Sequence, residues 1–135
     1  MSTIPREAEL SWLGTELSWL PESEARSVFA RAEQGMSPTD YALDTEQFQT
    51  VETISASDTA LARAWLAERI GRTERVFVSF GSRHVCAISA SAFLTHWQDM
   101  FGPARDDVLI TDEQESWILF YHHEDQFQFG RTKCA

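Results

Sequence analysis

Residues 106–131 read DDVLITDEQESWILFYHHEDQFQFGR. Three short runs in this stretch favour strand: Asp107 to Thr111, Trp117 to His122, and Gln126 to Phe129 ahead of Gly130. They are rich in β-branched and aromatic residues, and the acids and histidines cluster between them. The spacing predicts adjacent strands joined by acidic turns. Strands gathered late in a chain that begins with helical patterns indicate α+β rather than alternating βαβ units.

Upstream, VFVSFGSRHVCAIS after Arg75 reads as a hairpin with a tight turn at Gly81-Ser82. A helix follows over 90–101, with Phe93, Leu94, Trp97 and Phe101 on one face, Ser89 or Ser91 as cap, and Gly102-Pro103 as terminator. Another covers 58–70, capped by Ser57 or Asp58 and ended by Gly71. Its stripe is Leu61, Ala62, Trp65, Leu66 and Ile70, and Arg63, Arg69 and Arg72 are expected in solvent. Residues 22–34 give a helix through Ala25, Val28, Phe29 and Ala32, with Gly35 as its stop. Residues 36–57 read as a loop with an edge strand near Phe48, Val51 and Ile54. Near the start, Leu10-Ser11-Trp12-Leu13 recurs as Leu17-Ser18-Trp19-Leu20; seven residues is close to two helical turns, so a short amphipathic helix lying on the core is expected, with a docking helix as its rival. The expected architecture is one globular domain over 1–135, a mainly antiparallel sheet of about five strands covered by three to four helices.

Of 135 residues, 43% are hydrophobic, sufficient for one core. The formal charge is −10 and the sequence pI about 4.7, which argues against a nucleic-acid partner and for a basic protein partner or none. The charge is uneven: residues 59–98 carry five arginines against two acids, so the negative excess lies in the flanking segments. All the basic residues are arginines except Lys133, a skew that genomic base composition explains as readily as bidentate pairing. Cys86 and Cys134 do not make a disulfide framework, so a reducing cytoplasm is the expected location. The first residues lack a basic start and a continuous apolar run, and no segment reaches the length of a membrane span, so the chain reads as soluble and uncleaved.

His122-His123-Glu124-Asp125 is the densest titratable cluster, and His84 or His96 could add to it. Neighbours on an extended strand point to opposite faces, so His122 and His123 reach one metal ion only if the turn breaks the pleat. With no HExxH, no Cys pair and no HxH, neither a metal nor another cofactor is expected. Acid–base catalysis needs carboxylates in unlike environments, whereas these acids fall in turns that solvate them equally. Cys86 sits in an apolar strand and Cys134 near the chain end, which disfavours a Cys–His nucleophile. Recognition suits the acids better: Asp106, Asp107, Asp112, Glu113, Glu115, Glu124 and Asp125, with Tyr121 and His123, form the expected partner-binding set. Trp117, Phe127 and Phe129 lie beside them, divided between core and surface.

The run WILFYHHEDQFQFGR, from Trp117 to Arg131, resembles the C-terminal end of small bacterial immunity-type proteins encoded beside polymorphic or contact-delivered toxins. The resemblance covers about a quarter of the chain. It implies a cytoplasmic α+β protein that binds and neutralises a cognate toxin and is not an enzyme. Two rivals share the composition: an acidic secretion chaperone that forms a homodimer and holds an effector segment through Trp12 and Trp19, and a small metal-dependent enzyme.

Overall fold

Alternation along the late strands assigns each side chain to one of two buried faces. In β5 (Val108–Asp112) and β6 (Trp117–His122), Val108, Ile110, Trp117, Leu119 and Tyr121 join one cluster, while Leu109, Ile118 and Phe120 join another. A strand covered on both sides divides its residues in this way because its side chains repeat every two positions. β7 (Gln126–Thr132) adds Phe127 and Phe129 to the first cluster. Burying each such ring stabilises the fold by roughly 1.5–3 kcal/mol.

The computed structural model describes residues 10–40, 42–101, 107–114 and 116–132. Within them, β1 (Leu17–Trp19), β2 (Phe48–Ser55), β3 (Arg75–Gly81) and β4 (His84–Ser89) join β5 to β7 in one sheet, ordered β1-β4-β3-β5-β6-β7-β2. Every pairing is antiparallel. The five strands from residue 75 onward make the centre, and β1 and β2 close its two edges. The fold is α+β as expected, with seven strands in place of about five.

Three α-helices cover the sheet: α1 (Glu22–Glu33), α2 (Thr59–Ile70) and α3 (Ala90–Met100). Helices α2 and α3 share the first face, where Ala62, Leu66, Ile70, Phe93, Trp97 and Met100 meet Val76, Ile110 and Phe127. Helix α1 lies on the second, with Ala25 and Val28 against Val85, and Ala32 near Phe48, Leu109 and Phe120. The predicted caps form: Asp58 Oδ1 accepts from the Leu61 N–H at 3.1 Å, and Ser89 Oγ from the Ala92 N–H at 3.1 Å. No helix among the described residues is long and apolar enough to cross a membrane.

Three expectations need correction. The Leu-Ser-Trp-Leu repeat is not one helix: 3-10 turns over Ser11–Glu16 are broken at Gly14, whose φ of 58° and ψ of −128° suit glycine alone, and Leu17–Trp19 then pairs with Cys86–Ile88 as an edge strand. Nor do Arg63 and Arg69 extend into solvent. Arg63 Nε donates to the Leu94 carbonyl at 2.9 Å, tying α2 to α3. Arg69 makes a two-bond fork with Glu52, at 3.0 and 2.6 Å, while its guanidinium lies 4.1 Å from the centre of the Trp65 ring. Leu61, placed on the buried stripe, is instead 59% exposed.

Candidate functional site

The turn from β6 into β7 breaks the pleat at His122, and this brings together residues that an extended strand would separate. The rings of His122 and His123 stack, with centroids 4.2 Å apart and planes 27° from parallel. Asp107, immediately before β5, anchors the second ring: its Oδ1 accepts the His123 backbone N–H at 2.9 Å and lies 2.9 Å from Nδ1 of the same residue. The Glu124 N–H donates to His122 Nδ1 at 3.0 Å. Asp125 closes the turn in the left-handed region, at φ 64°, with its carbonyl accepting the Ala56 N–H at 2.8 Å and its Oδ1 accepting the Tyr121 hydroxyl at 2.7 Å.

Asp107, His122 and His123 offer ligand atoms within 4.8 Å of one another and are the described residues that could hold a divalent ion. The turn competes for the same atoms. His122 Nδ1 already accepts an N–H, so binding a metal through Nδ1 displaces that donor, and binding through Nε2 shifts the ring proton onto Nδ1, against it. His123 can keep its bond to Asp107 only if it coordinates through Nε2.

The predicted acidic face is split between two ends of β5. Asp107, His123, Glu124 and Asp125 gather at its start, whereas Asp112 and Glu113 lie at its finish, about 17 Å away for five extended residues. Asp112 is 4% exposed and turned inward, accepting the Ser116 N–H at 2.8 Å and the Ser116 hydroxyl. Glu113 is exposed and paired with Arg75 at 3.3 Å. Tyr121 is a core residue, 1% exposed, whose ring packs 4.7 Å from Phe101 and 5.2 Å from Phe127. Asp112 and Tyr121 therefore offer no surface to a partner. Asp106, Glu115 and Cys134, and the Gly102-Pro103 terminator, lie outside the described residues.

What the sequence did not reveal is the groove beside Asp107. Helix α1, the segment after it and the second face of the sheet enclose about 670 Å³, with Phe29, Met36, Leu109 and Phe120 supplying its apolar lining. Glu33, Asp40 and Asp107 are its charged members, and no basic residue lines it among the described residues. Glu33 ends α1, and Asp40 follows a turn in which Ser37 Oγ accepts the Thr39 and Asp40 N–H groups at 3.3 and 3.2 Å. Neither has an ion pair with a described residue. Clefts elsewhere mix signs: Arg31 with Asp112 and Glu113 in one, and Arg69, Arg72 and Arg131 with Glu68, Glu74 and Asp112 in another. Glu52 is held below the usual carboxylate range chiefly by its hydrogen bonds from Arg69, which outweigh the opposing effect of burial, with the charges of Arg69 and Arg131 adding to them. It lies on β2, away from this groove.

No protein-family model matches the chain, and no curated protein matches it.

Proposed function

We propose that this chain is an immunity-type protein that binds and neutralises a basic toxin through the acidic end of its sheet, and is not itself an enzyme. One observation carries the reading: Glu33, Asp40 and Asp107 converge on an apolar groove that no basic residue among the described ones lines. On a chain of net charge −10, such a face steers a cationic protein toward it. Charge pairs that lose their water at the interface then contribute on the order of 2–5 kcal/mol. The exposed Glu124 beside His122 widens the anionic rim. On this reading the protein acts in the cytoplasm of the cell it protects.

The test is to purify the chain with the toxin encoded beside it and to measure complex formation and toxin activity at physiological salt. A stoichiometric complex that abolishes toxin activity and weakens as salt rises is expected. Failure to bind, or binding that leaves the toxin active, contradicts the proposal.

The exposure of Trp12, 51%, and Leu61, 59%, favours a second reading, the secretion chaperone. A stable homodimer that binds an unfolded effector segment through these residues would put that reading first.

A further inference from the structure

The groove's composition narrows what enters it. A purely anionic site would hold a hydrated cation, and a purely apolar one a hydrocarbon side chain. Here Phe29, Met36, Leu109 and Phe120 are combined with carboxylates from three separate parts of the chain: Glu33 at the end of α1, Asp40 in the following turn, and Asp107 before β5. A side chain suited to both has an apolar stem and a charged tip able to meet several acceptors. Lysine and arginine share that form. The aromatic lining decides between them, because the planar, weakly hydrated guanidinium stacks on rings and directs five N–H donors outward, whereas an ammonium is a compact and strongly hydrated point charge.

Asp107 is fixed for such a role. Its Oδ1 is held by the His123 backbone N–H and ring, which sets the orientation of the carboxylate. Leu109 and Phe120 are register partners on β5 and β6, so that part of the lining rests on a hydrogen-bonded pair of strands. A preformed site binds with less ordering cost than one assembled on contact.

We propose that the groove accepts one arginine side chain of a protein partner, its guanidinium among Glu33, Asp40 and Asp107 and its stem along the half-buried Phe29 and Met36, over a floor made by the buried Leu109 and Phe120. This rests on the reading of the chain as the binder of a basic protein and supplies the anchor residue of that interface.

The isolated protein is enough to test it. Three blocked tripeptides, Gly-Arg-Gly, Gly-Lys-Gly and Gly-citrulline-Gly, are titrated into isotope-labelled protein and followed by NMR. The arginine peptide is expected to give saturable shifts at Phe29, Met36, Leu109 and Phe120. The lysine peptide should bind more weakly, and citrulline, which keeps the shape and loses the charge, should give none. The double variant E33Q/D40N, altered only at exposed side chains, should weaken the arginine peptide about tenfold or more. Equal response to arginine and citrulline, equal affinity for arginine and lysine, or shifts centred elsewhere each overturns the proposal. A toxin that binds wild type and E33Q/D40N with the same affinity also overturns the groove while leaving the immunity reading intact. Arginine-peptide binding without any toxin binding upholds the groove and removes that reading.

Discussion

The ring of Phe48 occupies the space in which a side chain on Gly130 would begin: a Cβ placed on Gly130 stands 2.8 Å from both Cγ and Cδ1 of that ring. Edge strand β2 thereby seats its one fully buried residue, 4% exposed, against the bare backbone of β7. Gly130→Ala is expected to destabilise the fold by about 1–3 kcal/mol, because a buried ring and its strand must shift together. Gly35→Ala meets the Ile118 Cδ1 at 2.6 Å and the Phe48 Cζ at 2.9 Å, and the terminal methyl of Ile118 can turn aside. It should be the milder change. Urea denaturation of both variants measures the order, and equal losses would contradict it.

Asp112 is a structural carboxylate. Asp112→Ala leaves the Ser116 N–H and hydroxyl without their acceptor, at a cost of about 1–3 kcal/mol, and Asp112→Asn, which retains an acceptor oxygen, should lose less. The folded Asp112→Asn protein should bind the partner as wild type does. A selective loss of affinity with stability unchanged would return Asp112 to the interface.

The β6–β7 turn depends on Asp125 for two things at once, a left-handed backbone and an acceptor for Tyr121. Tyr121→Phe removes only the hydrogen bond, about 0.5–1.5 kcal/mol. Asp125→Ala also places alanine at positive φ, adding about 1–2 kcal/mol. Asp125→Asn keeps both functions. Thermal melts should rank the losses D125A, then Y121F, then D125N.

Glu52 ionises more readily in the folded chain than in the unfolded one, since Arg69 hydrogen-bonds its carboxylate. The folded state therefore binds fewer protons, and the pair's contribution is present above the ordinary glutamate range and lost as pH falls through the depressed folded value. The Glu52 side chain is 42% exposed, so solvent limits that contribution to about 0.5–1 kcal/mol. Wild type should exceed Glu52→Gln by this amount at neutral pH, with the difference vanishing in acid. A difference independent of pH would mean the loss comes from packing.

Much of the fold was legible because its signals are local. Asp58 and Ser89 cap the helices they were expected to cap, and the late strands carry their period plainly. Leu17-Ser18-Trp19 departs from the expected helix because three residues satisfy a helical or an extended pattern equally, and the choice is made by Gly14 and by the open edge of β4. Of the acids in the expected set, Asp107, Glu124 and Asp125 do lie together at the start of β5, as their places next to two strand ends suggest. The rest depends on direction, which sequence spacing does not encode: Asp112 folds back onto Ser116, and the two histidines stack only because the chain turns between strands. Glu33 and Asp40 line the same groove as Asp107 across a long separation in sequence, and no local pattern announces that shared lining.

The strand order also fixes how this chain can be made. Its frame, β3 to β7, is translated after both edges and after two of the three helices that cover it. As the nascent chain leaves the ribosome, Leu17–Trp19 waits for β4, and Phe48–Ser55 waits for β7 at the far end of the described residues. Long-range pairings of this kind fold slowly and leave unpaired strand exposed meanwhile. The first half of the molecule therefore emerges with nothing to pack against and completes its structure only when the second half has been delivered.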